Sequence, residues 1–544
     1  MTFEVKDKDL LGRTAKLFTK SGTVETPLLL PVVNPSIQSI TPRKLKEVFD
    51  FKGLITNAYI LKKRFQNEAA EKGVHKFLDF DGVVMTDSGA YQILIYGEIE
   101  ITPKEIVEYQ EDIATDIATI LDHPTGWKAT RRHAEQTVRK TIERGKHLFK
   151  IRTRDNILWA GPIQGGIHTD LVAKSAKEMA KLPFEIFALG SPTEIMQNYR
   201  FDVLVDMILA AKMNVPIQKP LHLFGAGHPF MFSLAVALGC DIFDSAAYVL
   251  YAREDRYMTE NGTYKLDELR ALPCTCPRCV DNTPERVKQM PIHERRIFLA
   301  EHNLWTCQAE LRRIKQAIRN GRLWEHLEMR AHGHPALFQA VKRLDRYKKH
   351  LEKHSPSTKR KGLFFFSSVG LARPEIVRHR EKMKLRYSPP EKAKILVLLP
   401  KTQMKPSRDK KRRELARLLE ENFDQQKNNI HFCFYAAPFG VIPMELSETY
   451  PLSQHETAFP IDEETNRYVA EQLADYIFST NYEAVALLYD PKRWNRKLMN
   501  ASKKACKKRR IAFEYAKLEE NEKSIHRTLK GILQNLSDRS IDSS

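Results

Sequence analysis

Short apolar runs recur between residues 28 and 250 and alternate with amphipathic, charge-rich stretches that have helical spacing. Uninterrupted apolar strands that alternate with helices are typical of a parallel sheet covered on both faces. Eight runs therefore predict an α/β fold with a (β/α)8 TIM-like barrel, and a doubly wound open sheet is the alternative. The eight runs are LLLPVV (28–33), GLITNAYIL (53–61), GVVMTDSG (82–89), IATILDH (117–123), LWAGPIQGG (158–166), FEIFALG (184–190), PLHLFGAG (220–227) and CDIFDS (240–245).

Candidate functional residues fall at or near the carboxyl ends of these runs. Barrel enzymes build their active sites at that end of the strands, so the positions favour the barrel over the open sheet. The residues concerned are Asp87, Asp122, Gln164, Gly190, Phe224 and Asp244.

Beyond the eighth run the pattern changes twice. A helical stretch over roughly 286–353 ends near the polar segment 354–362, and further strands, KILVLLP, HFCFYAAP and EAVALLYDP, then alternate with basic helices such as 408–423. We expect a catalytic barrel over 1–270, a zinc-binding and helical region over 271–353 that completes the catalytic domain, and smaller C-terminal α/β accessory domains over 362–544.

Charge and composition narrow the function classes. The 544 residues include 88 Lys and Arg against 68 Asp and Glu, which gives a formal net charge of +20 and suits a polyanionic partner, although charge alone does not identify RNA. The first residues are polar and no run of about 18 apolar residues occurs, so we expect a soluble, cytoplasmic protein without a membrane partner.

Three cysteines, Cys274, Cys276 and Cys279, are followed 23 residues after the last by His302, at the start of an apparent helix. Three thiolates and one imidazole complete a closed tetrahedral site, which is the structural form of zinc binding. We expect one structural Zn2+ per chain. A redox role for the Cys276–Cys279 pair is the alternative, and the third thiol favours the metal.

Two aspartates sit in similar surroundings, Asp87 in TDSGAYQ and Asp244 in GCDIFDSAAY. Each alone is typical of a helix cap. Carboxylates at the tips of two barrel strands can converge on one pocket, and paired carboxylates suit chemistry at a glycosidic bond. A metal-dependent barrel hydrolase is disfavoured because the first 70 residues contain no histidine.

An ordered set of motifs resembles the archaeal tRNA-guanine transglycosylase family over roughly residues 1–350. The set comprises DSGAYQ (87–92), PIQGG (162–166), HLFGAGHP (222–229), FDSAAY (243–248) and the cysteine cluster with His302. The resemblance implies exchange of the guanine at position 15 in the D-loop of tRNA for 7-cyano-7-deazaguanine, the first step of archaeosine formation.

The resemblance also implies roles for single residues. Asp244 matches the nucleophile that attacks C1′ of the ribose, and Asp87 matches the acid/base carboxylate. The positions that bind the base are matched by Asp122, Gln164, Gly190, Tyr91 and Phe224. The chain departs from the family at Gly190-Ser191-Pro192, where a Gly-Gly pair is common. A backbone donor is expected from this loop.

The resemblance further implies tRNA as partner and a homodimer built around the zinc region. Archaeal members end in a PUA RNA-binding domain that is not recognised in this sequence, so a separate partner with that domain is expected. The segment 439–451 resembles the C-terminal domains of archaeal transglycosylases and archaeosine synthases, and KKACKKRR (503–510) either grips phosphate or forms a solvated face. An archaeosine synthase-like paralogue and a non-catalytic tRNA-binding protein are the alternative functions.

Overall fold

The computed structural model describes residues 2–90, 101–401 and 429–518, together with 527 and 530–532. The chain forms two compact units, Met1–Leu344 and Asp345–Ser544.

The first unit begins with a small antiparallel sheet that the sequence analysis does not predict. Its strands are β1 (Phe3–Asp9), β2 (Gly12–Thr19) and β3 (Gly22–Thr26). Leu17 and Val24 on this sheet belong to the same buried cluster as Leu30, Ile55 and Met85 of the barrel strands. The sheet therefore contributes to the hydrophobic core of the barrel.

Eight parallel strands form the closed barrel, which confirms the predicted fold class. Each lies within one of the eight apolar runs, and the last strand pairs with the first through Asp244 and Leu30. The strands are β4 (Leu28–Val33), β5 (Gly53–Asn57), β6 (Val83–Asp87), β7 (Ile117–Thr119), β8 (Leu158–Ile163), β9 (Ile186–Leu189), β10 (Leu221–Leu223) and β11 (Ile242–Ser245).

Helices connect the barrel strands, and most bury one face. In α5, for example, Ala134, Val138 and Leu148 are buried while the charged side is exposed, and the Thr130 side chain caps the first turn. The helices are α1 (Pro42–Glu47), α2 (Ala58–Lys72), α3 (Val74–Leu78), α4 (Pro103–Asp112), α5 (Arg131–Ile151), α6 (Thr169–Met179), α7 (Thr193–Gln197), α8 (Phe201–Lys212), α9 (Pro229–Ala237) and α10 (Ala247–Arg253).

A hairpin and further helices complete the first unit. The hairpin consists of β12 (Arg256–Thr259) and β13 (Gly262–Lys265). The helices are α11 (Pro284–Gln289), α12 (Ile292–Asn320), α13 (Leu323–Ala331) and α14 (Pro335–Arg343).

The second unit is built on a five-stranded sheet in the order β17-β16-β15-β19-β20, in which β17 alone is antiparallel to its neighbour. The three predicted C-terminal strands are present as β15, β16 and β19, whereas the predicted basic helix at 408–423 lies outside the described residues. The elements are α15 (Lys348–His354), β14 (Leu363–Phe365), α16 (Pro374–Leu385), β15 (Ile395–Pro400), β16 (Ile430–Ala436), β17 (Gly440–Pro443), β18 (His455–Thr457), α17 (Glu463–Ser479), β19 (Ala484–Tyr489), α18 (Arg496–Arg509) and β20 (Ala512–Lys517).

Across the described ranges, no helix combines the length and the apolar character that crossing a bilayer requires.

Candidate active site

One large pocket opens at the carboxyl ends of the barrel strands. Its volume is about 1060 Å3. Six of the seven residues that the sequence suggests for catalysis or base binding line it, namely Asp87, Asp122, Gln164, Gly190, Phe224 and Asp244. The seventh, Tyr91, lies outside the described residues.

Asp244 is held near the end of β11 by two hydrogen bonds to a single oxygen. Its Oδ1 accepts the Gly225 N–H at 2.9 Å and lies 2.8 Å from His222 Nε2 on the neighbouring strand β10. The turn at Gly225 has φ +68°, a conformation that favours glycine, and a Cβ there would lie 2.4 Å from Thr193 Oγ1. The arrangement orients the carboxylate and leaves Oδ2 available for chemistry.

The histidine that holds Asp244 is fully buried. A carboxylate oxygen accepts hydrogen bonds, so His222 Nε2 donates to Asp244 Oδ1. The other ring nitrogen, Nδ1, has no hydrogen-bond partner within the described structure. His222 therefore acts as a fixed donor that orients the Asp244 carboxylate.

Asp87 ends β6 opposite Asn57, the last residue of β5. Asn57 Nδ2 donates to Asp87 Oδ2 at 3.0 Å, and its Oδ1 accepts the Ile60 N–H at 2.9 Å as the cap of α2. Burial, with added repulsion from Asp122 and Asp244, raises the pKa of Asp87 to about 7. The carboxyl group can therefore hold or release a proton near neutral pH.

Asp122 follows β7 and is paired with Gln164. The Gln164 Nε2 donates to Asp122 Oδ2, while Oε1 accepts from Thr125 N–H at 3.0 Å, Thr125 Oγ1 at 3.1 Å and Ser191 Oγ at 3.0 Å. These donors fix the orientation of the amide. Burial raises the pKa of Asp122 to about 6, and the Gln164 hydrogen bond opposes that rise.

Gly190 allows Gln164 to approach the end of β9, because a Cβ at this position would lie 2.2 Å from Gln164 Nε2. The Gly190 N–H donates to the Ile163 carbonyl at 2.9 Å as part of the barrel. Gly190 therefore does not supply the backbone donor expected from this loop. Ser191 adopts φ +62°, a region that favours glycine.

Sequence reasoning missed His222 and Asn57, and one signal could have found the histidine. Alternate residues on a strand point to the same side, so His222 accompanies Phe224, and their rings lie 4.5 Å apart. Asn57 gives a weaker signal because its capping role alone accounts for it.

A second cluster brings Cys274, Cys276, Cys279 and His302 together, with one ligand atom from each within 4.8 Å of the others. His302 Nε2 lies 2.8 Å from the Met258 carbonyl, which leaves Nδ1 on the side of the thiols, 3.3 Å from Cys279 Sγ. A histidine oriented by a backbone carbonyl on its other nitrogen is typical of a metal ligand. The donor set therefore fits a metal ion.

Two of the four residues of this cluster, Cys279 and His302, are buried. The Tyr257 ring stacks on His302 at 3.5 Å and its hydroxyl lies 3.3 Å from Cys279 Sγ. His302 lies in the middle of α12, which begins at Ile292, and not at the start of a helix as the sequence suggested. The neighbouring Glu301 pairs with Lys44 of α1, which ties the cluster to the barrel.

An eight-stranded barrel with three aspartates from its strand ends in the pocket at its mouth defines a barrel enzyme equipped for chemistry at a glycosidic bond. Residues 7–336 match the family described as queuine tRNA-ribosyltransferase, and residues 376–535 match a family described only as a domain of unknown function. The chain belongs to the queuine tRNA-ribosyltransferase family, whose members are transglycosylases.

Relatives that bear the name tRNA-guanine(15) transglycosylase include the following three. The protein of Methanocaldococcus jannaschii is 40% identical over 489 residues, which cover 88% of this chain and 72% of that protein. The proteins of Sulfolobus acidocaldarius and Pyrobaculum aerophilum are each 40% identical, over 89% and 90% of this chain and 95% of their own length. The similarity thus extends beyond the barrel into the second unit.

Proposed function

We propose that this protein exchanges the guanine at position 15 of tRNA for 7-cyano-7-deazaguanine through a covalent aspartyl–ribose intermediate. The observation that carries the proposal is the anchored Asp244 carboxylate in the same pocket as Asp87, whose pKa is raised to about 7. The shared name of the relatives supports the substrate and the position.

In the first half of the reaction, Asp244 Oδ2 attacks C1′ of the target ribose. The bond between C1′ and the base nitrogen breaks, and its electron pair leaves with the guanine. Asp87 is protonated in part at neutral pH because of its raised pKa, and it donates the proton that the departing base needs. The ribose remains bound to Asp244 as an ester.

In the second half, Asp87 accepts a proton from the incoming 7-deazaguanine. The nitrogen of that base attacks C1′, and the ester bond to Asp244 breaks. Each of the two displacements inverts the configuration at C1′, so the product has the same configuration as the original nucleotide. The target nucleotide must leave its stack, because otherwise C1′ cannot reach a carboxylate inside the barrel mouth.

Base recognition is assigned to Asp122, with Gln164 as its support. Guanine and 7-cyano-7-deazaguanine share an N1–H and a 2-amino group, and an ionised carboxylate accepts from both. The pKa of about 6 leaves Asp122 mostly ionised at pH 7. We assign Phe224 and Tyr91 to stacking on the base, and Gly190 to the close approach of Gln164.

We also propose that the cluster of three cysteines and His302 holds one Zn2+. Four protein donors leave no open position for water, so the metal would stabilise the fold and take no part in the reaction.

We further propose that the catalytic domain spans 1–353, of which 1–270 form the barrel and 271–353 hold the metal, and that accessory domains span 362–544. The homodimer and the separate PUA-domain partner stay predictions, which mass measurement and a pull-down from native cells would test.

A base-exchange assay tests the proposed function. Unmodified tRNA with radiolabelled guanine is incubated with the protein and unlabelled 7-cyano-7-deazaguanine, and nuclease mapping locates the exchanged nucleotide. We expect label release from position 15 by the wild type and none by Asp244→Asn. Equal release by the variant would favour another nucleophile, and no release by the wild type would favour the synthase-like or binding alternatives.

A further inference from the structure

The pocket is larger than a single base requires. Its volume of about 1060 Å3 lies at the upper end of the ~300–1000 Å3 range of small-molecule sites, so a purine at the carboxylates leaves much of it empty. The remaining wall is rich in rings, contributed by Tyr199, His228, Phe230, Tyr251 and His334.

Tyr199 is the most prominent of these rings. It lies in the turn between α7 and α8, and 52% of its surface is exposed. Its ring is stacked on His334, with centroids 4.7 Å apart and planes 11° from parallel. His334 is itself held in place, because its Nδ1 accepts the Ala336 N–H at 3.1 Å at the start of α14. His334 therefore covers one face of the Tyr199 ring, and about half of the residue surface remains exposed.

The backbone at Tyr199 is strained. Its φ of +54° is uncommon for a bulky residue, and its N–H is tied to the Met196 carbonyl at 3.0 Å. The rings of Phe201 and Phe230 pack against it at steep angles, with centroids 6.1 and 6.4 Å away. An exposed ring on a strained turn adds little to the hydrophobic core, and such strain is concentrated at functional sites.

The charges around this wall disfavour a phosphate-binding role. Glu194, Glu254 and Glu268 line the pocket together with Arg256 and Lys265. Arg256 lies 3.4 Å from Glu254, and Lys265 Nζ donates to the Glu254 carbonyl at 2.9 Å. A wall with three carboxylates, two basic side chains and exposed rings is suited to a nucleobase rather than to the negatively charged RNA backbone.

We propose that Tyr199, backed by His334, forms a stacking subsite for the nucleobase next to the exchanged guanine. The inference rests on the proposed function, because it takes the ligand to be an RNA strand with one nucleotide flipped into the barrel. Flipping removes a stacking partner from each neighbour, and an exposed aromatic ring replaces it without regard to base identity. Tyr199 is thus a binding residue for the strand and has no part in bond breaking.

A fluorescence assay tests the subsite without turnover. The full chain carrying Asp244→Asn is mixed with tRNA that has 2-aminopurine on one or the other side of the target guanine, since stacking quenches this base. We expect quenching at one of the two positions, retained with Tyr199→Phe and lost with Tyr199→Ala. Phe18→Ala, which removes a partly exposed ring outside the pocket lining, should leave the quenching unchanged.

Kinetics of otherwise wild-type chains provide the second readout. Tyr199→Ala should raise KM for tRNA by roughly 5- to 150-fold, with kcat and the KM for the incoming base nearly unchanged. For the wild type, an abasic site at the neighbouring nucleotide should raise the KM for tRNA by a similar factor. For Tyr199→Ala the same abasic site should raise KM little further, because both changes remove the same contact.

Three results would overturn the subsite: quenching that survives Tyr199→Ala, equal losses in the Phe and Ala variants, or additive penalties from the variant and the abasic site. Failure of the proposed function would look different, since the wild type would then release no guanine. The fluorescence assay decides on the subsite in that case too, because it measures binding alone.

Discussion

The raised pKa of Asp87 affects both the proposed reaction and the stability of the fold. Its neighbours add negative charge in a buried place, and both effects favour the protonated carboxyl group. A group that is protonated at about half occupancy near pH 7 can serve as acid in one half of the reaction and as base in the other.

The rates of the two halves should therefore depend on pH in opposite directions. Formation of the covalent intermediate needs protonated Asp87, so its rate should fall up to about tenfold per pH unit above about pH 7. Attack by the incoming base needs the ionised form, so its rate should fall below that pH. Rapid-quench measurement of each half-reaction as a function of pH gives the two dependences separately.

Asp122→Asn provides a control for this pH dependence. It removes one of the charges that raise the pKa of Asp87, so both midpoints should move to lower pH even though base binding weakens. Midpoints that stay in place would show that another group titrates.

Asp87 should also make the fold less stable as pH rises. The folded pKa of about 7 lies above the ordinary value of 3.8, so the native state retains a proton that the unfolded chain loses. The contribution of Asp87 to the free energy of unfolding is complete below about pH 4. It is lost between pH 4 and 7 and amounts to at most about 4 kcal/mol. We expect Asp87→Asn to raise Tm above pH 7 and to leave it almost unchanged near pH 4 in scanning calorimetry. A Tm difference independent of pH would contradict this origin.

At the scale of elements, the metal cluster links a loop to the middle of α12. Cys276→Ser should abolish zinc binding and lower the free energy of unfolding by several kcal/mol, because metal binding and folding are coupled. Metal analysis and denaturant titration measure both effects. Cys307→Ser alters a buried cysteine of α12 that lies outside the cluster, and this variant should retain the metal. Loss of metal in both variants would point to general unfolding.

Helix α18 carries like charges at a spacing that repels. Lys503 and Lys507, and Lys504 and Lys508, are four residues apart and exposed, and in the described part of the chain none of the four forms an ion pair. Such pairs cost a helix about 0.2–0.5 kcal/mol each, which a polyanion would offset.

Charge reversal distinguishes an RNA contact from a solvated face. Lys503→Glu together with Lys504→Glu should stabilise α18 slightly, since each carboxylate would precede a lysine by four residues. If the helix contacts tRNA, the slope of log affinity against log salt should decrease by about 1 to 2. Lys146→Glu with Lys150→Glu on α5 is the matched control. Equal slopes in all three proteins would mean that α18 is a solvated face.

At the scale of the whole molecule, the sequence predicts the barrel well because its strands are uninterrupted apolar runs. The sheet β1–β3 was not predicted from the sequence. Its first strand, FEVKDKD, is polar at most positions and buries only its two end residues. Asp87, Asp122 and Asp244 could be found because strand ends of a barrel converge. The partnership of His222 with Asp244, and that of Tyr199 with His334, depend on register and on a turn at positive φ, which local pattern does not encode.

The most direct test of the account is to trap the intermediate. Wild-type protein incubated with tRNA and no incoming base, then denatured, should retain a covalent protein–tRNA adduct, and a mass-mapped peptide should carry the ribose on Asp244. Asp244→Asn should give no adduct, whereas Asp87→Asn should still form it, although more slowly. An adduct that persists in Asp244→Asn, or one that maps to another residue, would contradict the assignment of Asp244 as nucleophile.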